Sequence, residues 1–264
     1  MTRILVTGSD GQLGKCIQKS AMNYPQVDFV FHDSKTLDIT NPEKITAIFS
    51  LKHFDYCINC AAYTDVEQAE KTPEPAFAIN AEAVRHLALA CSEYLTTLIH
   101  ISTDYVFDGT KETAYLVSDR TNPINIYGKS KLRGEKHIQK SLKEYFIIRT
   151  SWLYSEFGKN FYKTIVEKAK TETVLRITDE QTGCPTNANN LAAYILNLVV
   201  SKSKAYGIHH LTDGEAMTWY DFAKKILLEN GLQDDVKLDR AKNYRTFATR
   251  PKNSILGGIL SKEN

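Results

Sequence analysis

A tyrosine and a lysine stand four residues apart in Ile126-Tyr127-Gly-Lys-Ser-Lys131. On a helix, positions i and i+4 lie one above the other, so this phenol and ammonium share a face. A free phenol gives up its proton only near pH ~10, which is too high for acid–base work near neutrality. A neighbouring ammonium favours the phenolate and lowers that value, making Tyr127 and Lys131 a candidate proton-transfer pair. In a chain with 14 tyrosines the spacing alone means little. It gains weight from Ser102-Thr103-Asp104, which ends a strand-like run. A Thr103 hydroxyl at a strand end lies where open α/β sheets bind ligands, and it can hydrogen-bond a substrate carbonyl.

The second constellation is Thr7-Gly8-Ser-Asp-Gly11-Gln-Leu-Gly14, with glycines at spacing three and three. A strand precedes it and a helix follows, the context in which such glycines bind a dinucleotide. Gly8, Gly11 and Gly14 allow a sharp turn and close backbone approach, and the helix N-terminus offers free N–H groups to a pyrophosphate. Asp33 follows the next strand, nineteen residues after Gly14. An acid at that place bonds the adenosine ribose and favours NAD, whereas Lys35 beside it can accept a 2′-phosphate, so both NADH and NADPH stay open. A solvated loop aspartate is the plain alternative.

These groups need a scaffold, and the chain supplies alternating elements. Ile4–Thr7, Val27–Phe31, Tyr56–Cys60, Thr97–Ile101, Tyr145–Ile148, Val174–Ile177 and Gly207–Leu211 read as strands. Helices are expected after Gly14, over 41–49, 75–94, 127–142 and 160–170, from Asn187, and over 218–229. The long one carries Val84, Leu87, Ala88 and Cys91 at spacings of three or four. Repeated β–α alternation implies an α/β fold: a doubly wound parallel Rossmann sheet with helices on both faces. Motif order assigns residues 1–154 and about 173–212 to the dinucleotide-binding domain. A smaller, interwoven α/β substrate domain takes about 155–172 and 213–264. No repeat, low-complexity linker or charge block interrupts the chain.

The balance of 33 Lys+Arg against 31 Asp+Glu leaves a net charge of +2, without the basic excess of a nucleic-acid binder. The longest apolar run, Leu191–Val200, has ten residues and contains Asn197, against the ~20 needed to span a bilayer. The apolar stretch near the N-terminus is too short for a signal-peptide core. These features predict a soluble, cytoplasmic protein without nucleic-acid or membrane partners. Five scattered cysteines give no disulfide framework. Cys57 and Cys60 form a lone CxxC, but three positions apart on a strand point to opposite faces, and no second pair completes a metal site. His209, His210 and the other histidines read as structural, and Cys184 carries no chemistry.

Together, TGxxGxxG, a Ser/Thr after the fourth strand and YxxxK resemble the extended short-chain dehydrogenase/reductases. Longer strings narrow the match: Gly11-Gln-Leu-Gly14, Leu37-Asp-Ile-Thr40, Asn59-Cys-Ala-Ala-Tyr-Thr-Asp-Val66, Ser102-Thr-Asp-Tyr-Val-Phe-Asp-Gly109, Arg149-Thr-Ser-Trp-Leu-Tyr154 and Arg250-Pro-Lys-Asn-Ser254. They are similar to the dTDP-4-dehydrorhamnose reductase family, and the likeness runs from the first strand to Ser254.

The resemblance implies that a dTDP-linked 4-keto-6-deoxy sugar is reduced at C4 with NAD(P)H. Tyr127 would donate the proton, Lys131 would bond the nicotinamide ribose and hold down the tyrosine pKa, and Thr103 would orient the carbonyl beside Asp104. Gly11, Gln12 and Leu13 would meet the pyrophosphate, Asp38 and Ile39 the adenine, and Ala61, Ala62 and Tyr63 the next strand end. Trp152 would pack on the nucleotide sugar, with a core tryptophan as the alternative. Arg250 would reach a diphosphate oxygen, with a surface ion pair as the alternative. Some members hold a metal between subunits through a glutamate that matches Cys16 here, so a monomer or a homodimer without a metal bridge is expected. The chain also ends soon after Ser254, where members usually continue into a helix, so the substrate domain is expected to be incomplete at that edge. The alternatives are a reductase of another nucleotide-linked 4-keto sugar, or a non-catalytic subunit like the regulatory subunit of methionine adenosyltransferase.

Overall fold

The first strand, β1 (Thr2–Thr7), shows how the sheet is built. Ile4 and Val6 point into one apolar cluster and Leu5 into another, on opposite faces. This is the two-residue alternation of a strand covered on both sides. The computed structural model describes residues 1–242 and 246–257; the tail 258–264, which the sequence assigns to the edge of the substrate domain, lies outside the described residues.

The elements follow in order: α1 (Gln12–Ala21), β2 (Val27–His32), α2 (Pro42–Leu51), β3 (Tyr56–Asn59), α3 (Val66–Lys71), α4 (Pro73–Phe77) and α5 (Ala83–Glu93). Then come β4 (Thr97–Thr103), α6 (Ile126–Ser141), β5 (Tyr145–Thr150), β6 (Leu153–Tyr154), α7 (Phe161–Ala169), β7 (Val174–Ile177), β8 (Thr182–Gly183) and β9 (Thr186–Asn187). Last are α8 (Ala188–Val200), β10 (Gly207–His210), β11 (Met217–Thr218), α9 (Trp219–Glu229) and β12 (Lys237–Arg240).

Six strands make one sheet in the order β10-β5-β4-β3-β1-β2, and every pair in it is parallel. α1 and α8 cover one face through Leu13, Ile17, Leu191 and Ile195. α2, α5 and α6 cover the other through Phe49, Leu87 and Ile138. The chain leaves β1 for β2 on one side and returns to β3 on the other. Strand order therefore reverses between β1 and β3, where doubly wound sheets open a crevice at their carboxyl ends.

A smaller lobe packs α7 and α9 around Ile165, Phe222 and Ile226. Two features differ from the sequence expectation. β7 lies outside the main sheet: it pairs in parallel with β12 and sends Leu175 into the smaller core. The boundary expected near residue 173 thus falls after this strand. The helix expected over 75–94 is divided into α4, a wide π-helical turn at Ala78–Glu82, and α5. That turn drives Asn80 inward. There it exchanges two 2.9 Å hydrogen bonds with the Tyr63 backbone and donates to Ser130 Oγ at 3.0 Å.

Candidate active site

The phosphate loop leaves β1 through Gly8, whose φ of +65° belongs to the left-handed region that favours glycine. A Cβ on Gly14 would stand 2.5 Å from Ser9 Cα and 2.6 Å from the Gly8 carbonyl oxygen, so the helix can pack this tightly only without a side chain. α1 then begins at an N-cap, Gly11, that supplies no side-chain cap, and its first turn contains no acid. Its leading N–H groups and positive dipole end therefore face the crevice ready for an anion.

α6 carries the acid–base pair. Asn125 caps it by accepting from Gly128 N at 2.7 Å, and Glu70 of α3 accepts from Ile126 N at 2.6 Å. The Asn125 amide also donates to the Thr249 carbonyl, tying the helix start to the C-terminal segment. Tyr127 and Lys131 thus line one cavity of about 560 Å³ with Thr103 and Asp104 from the end of β4. Gly11, Gln12, Leu13, Ala62 and Trp152 border the same space.

Other expected site residues stand outside this cavity. Gly8 and Gly14 shape the loop from behind, and Ala61 and Tyr63 continue the segment after β3. Asp33 ends β2 in an exposed turn, where its Oδ1 accepts from Thr36 N at 2.9 Å and Thr36 Oγ1 at 2.8 Å. These bonds hold its carboxyl below the usual range. Asp38 makes the same kind of turn with Thr40, and the Ile39 side chain is buried in the sheet's core, which leaves its backbone for any ligand. Arg250 does not face the cavity. Its guanidinium bonds Glu67 Oε1 at 2.7 Å and the Tyr105 hydroxyl at 3.3 Å, the ion pair that the sequence left as the alternative. Glu67 also accepts from the Phe247 and Ala248 amides, fastening this segment to α3.

Trp152 lies at the cavity wall with φ +47°, and its ring stacks on Trp219 at 3.5 Å between centroids. It is half-buried, packed against the core of the smaller lobe and at the same time lining the cavity. Cys57 and Cys60 do pack into opposite-face clusters. Cys16 is buried under α8, and His209 is satisfied by Tyr194 and the Ala205 carbonyl. Among the described residues, no group of three or more His, Cys, Asp or Glu side chains converges.

The electrostatics reverse one expectation. Burial pushes the Tyr127 phenol above its ordinary range, against the downward pull of the Thr103 hydroxyl, and the Asp104 charge adds to the rise. Lys131 does not hold it down. Burial instead lowers Lys131 itself to about 8, opposed by Glu135. Asp104, 3 % exposed, is raised to about 6 by burial against hydrogen bonding from Ser254 and Thr103. Thr103 Oγ1 donates to Asp104 Oδ1 at 2.9 Å. The site therefore holds a protonated phenol, a hydroxyl beside it and a lysine close to its titration point.

Several participants escape a reading by motif. Lys159 and Asn160 line the cavity from the smaller lobe, and Asn160 donates to Gln12 Oε1 at 2.8 Å, latching that lobe to the phosphate loop. The available signal was Asn160 as an N-cap before α7. Beneath the site, Glu135 accepts from Ser102 Oγ at 2.5 Å and forms a fork with Arg149, its Oε2 2.7 Å from Nη2. Nothing in the local sequence pairs these two residues.

Comparison with known proteins agrees with this geometry. The family model described as the RmlD substrate binding domain matches residues 1–262. The chain is 36% identical to the dTDP-4-dehydrorhamnose reductase of Aggregatibacter actinomycetemcomitans, covering 97% of this chain and 90% of that protein. It is 35% identical to the spore coat polysaccharide biosynthesis protein SpsK of Bacillus subtilis, covering 97% and 89%. The solved structure of dTDP-4-dehydrorhamnose reductase from Bacillus anthracis, in complex with NADP, superposes with a TM-score of 0.94 at 36% identity, covering 98% of this chain and 92% of that one.

Proposed function

The chain belongs to the dTDP-4-dehydrorhamnose reductase family, and from that premise we infer that it reduces the C4 ketone of dTDP-4-dehydrorhamnose to give dTDP-L-rhamnose. The observation that carries this reading is the shared cavity of about 560 Å³, in which the phosphate loop faces Thr103, Tyr127 and Lys131. NADPH or NADH supplies the hydride when bound.

The loop residues Gly11, Gln12 and Leu13 would hold the pyrophosphate through backbone N–H groups, as an uncapped helix start without acids allows. Asp33 would meet the adenosine ribose, Asp38 and Ile39 the adenine, and Ala61, Ala62 and Tyr63 the path toward Lys131. Lys131 would bond the nicotinamide ribose. Thr103 orients the ketone by turning its single hydroxyl proton from Asp104 Oδ1 to the ketone oxygen. Tyr127 gives its proton to the C4 oxygen, and the raised phenol keeps that proton in place until negative charge develops there. The flat Trp152–Trp219 stack offers a surface for the nucleotide sugar.

No helix among the described residues is long and apolar enough to cross a membrane. We place the protein in the cytoplasm, acting as a monomer or as a homodimer without a metal bridge, since Cys16, a buried thiol, matches the position that the family resemblance gives to a metal-binding glutamate.

The test is the loss of nicotinamide absorbance with dTDP-4-dehydrorhamnose, NADPH and purified protein. No oxidation above background would sink the reading. Tyr127→Phe should lower kcat by about 10²-fold or more while NADPH binding is kept. A variant retaining more than about a tenth of kcat would move the donor role elsewhere.

A further inference from the structure

Behind Lys131 lies a chain of buried polar groups that the reaction does not use. Lys131 Nζ donates to the Ile101 carbonyl at 2.6 Å and stands 3.3 Å from His100 Nε2. The other ring nitrogen, His100 Nδ1, is 3.0 Å from the Asn59 amide nitrogen. Asn59 Oδ1 accepts from Thr7 Oγ1 at 2.7 Å and from the Ala61 backbone N–H at 3.2 Å. Thr7, Asn59 and His100 are buried.

This network fixes the proton on the imidazole. A backbone N–H can only donate, so the oxygen of Asn59 faces Ala61 and its NH₂ faces His100. His100 Nδ1 must then be the bare, accepting nitrogen. A neutral ring with a bare Nδ1 carries its proton on Nε2, the nitrogen that faces Lys131. An N–H thus points at Nζ. Facing an ammonium, two donors oppose each other; facing an amine, the N–H finds a lone pair.

We propose that Asn59 and His100 form a positioning pair that presents a hydrogen-bond donor to Lys131, so that this lysine is held ready to release its proton instead of being fixed as a cation. The proposal rests on Lys131 serving the reductase site. The other groups facing Lys131 are Cys60 after β3, Tyr127 and Glu135 on its own helix, and the Ile101 carbonyl of β4. Glu135 favours the charged amine, but its carboxylate is engaged by Arg149 of β5 and by Ser102. Burial lowers both Lys131 and His100, which agrees with a neutral ring and a loosely held lysine proton. His100 is a dead end for protons: among the described residues its hydrogen-bond chain runs on to Asn59, Thr7 and the Ala61 backbone N–H, none of which titrates. It acts through the charge of Lys131.

The test begins with nitrogen NMR of the full-length protein. His100 should stay neutral from about pH 6 to about pH 9, with Nδ1 in the range of a bare ring nitrogen and Nε2 in the protonated range. The opposite tautomer, or a charged ring near neutrality, overturns the proposal. Asn59→Asp replaces the NH₂ by an acceptor, which should move the ring proton to Nδ1 and turn Nε2 toward Lys131 as a lone pair. The alkaline limb of kcat/KM, expected near pH 8 in the unsubstituted enzyme, should then rise by about one unit or more. An unmoved limb in a folded variant that still binds NADPH overturns the proposal. So does an equal rise in the double variant Asn59→Asp/His100→Phe, because the added charge alone would then account for it. A protein inactive on the 4-keto sugar would end the proposed function but leave the tautomer measurable.

Discussion

Asp104→Asn should make the protein more stable at pH 8, less stable at pH 4, and a poorer enzyme at pH 8. Asp104 is buried just after β4, where hydrogen bonds from Thr103 and Ser254 offset only part of the cost of burial. Its carboxyl is raised from an ordinary 3.8 to about 6. The difference is about two pH units, or about 3 kcal/mol at about 1.4 kcal/mol per unit. The folded state binds more protons than the unfolded chain between these two values, so the carboxylate costs stability progressively from about pH 4 to pH 6 and fully above that. Asparagine removes the charge and keeps an acceptor for Thr103, but its NH₂ puts a donor where a carboxylate oxygen accepted, which costs about 1 to 2 kcal/mol. The net gain at pH 8 is about 1 to 2 kcal/mol, or about 2 to 4 °C in Tm for a chain of this size. Near pH 4 only the amide cost remains, and the variant should melt below the parent. Activity at pH 8 should fall about tenfold or more, because the charged acceptor that places the Thr103 hydroxyl becomes a neutral one. Melting curves at the two pH values and kcat/KM give the answer. A variant less stable at both pH values would refute the account of Asp104 as a buried charge kept for function.

Glu135→Gln should destabilise strongly, by about 3 to 5 kcal/mol, since it leaves the Arg149 guanidinium, 2 % exposed, without its carboxylate. Urea unfolding would show it, and Glu135→Leu/Arg149→Met should recover most of the loss. Gly14→Ala should weaken NADPH binding at least about tenfold with the fold retained, because a Cβ 2.5 Å from Ser9 Cα must displace the phosphate loop. Isothermal titration with NADPH checks it, and unchanged affinity would remove the loop from the cofactor site.

The sheet was legible because its strands are short apolar runs separated by helices with a clear apolar face. Tyr56–Asn59 and Thr97–Thr103 are buried on both sides, and a fully buried strand needs no alternation to be recognised. β12 was not legible. Its residues Lys-Leu-Asp-Arg are mostly charged, and the strand exists because Val174–Ile177 offers an edge for it to pair with. The division of the 75–94 helix was equally hidden, for it is set from outside. Gly134 of α6 packs so closely that a Cβ there would stand 2.2 Å from the Asn80 carbonyl oxygen. The partner of Arg250 was hidden because Glu67 lies 183 residues away in sequence.

Charge states were the least legible part of the site, and Tyr127 shows why. The i, i+4 spacing places an ammonium beside the phenol and predicts a lowered pKa. In the folded protein that ammonium is spent on the Ile101 carbonyl, desolvated, and set against an imidazole N–H. The phenol meanwhile gains the penalty of burial and the repulsion of Asp104. The net direction depends on burial and on Thr103, Asp104 and Tyr105 at and just after the end of β4, which no local pattern connects to α6. For a reductase this reversal is useful. A proton donor has to retain its proton until hydride transfer creates an alkoxide, whose basicity far exceeds that of a ketone. An oxidising enzyme needs the phenolate first. The geometry around Tyr127 therefore matches the reducing direction better than the tyrosine–lysine spacing alone would suggest, and the near-neutral net charge of +2 plays no part in it.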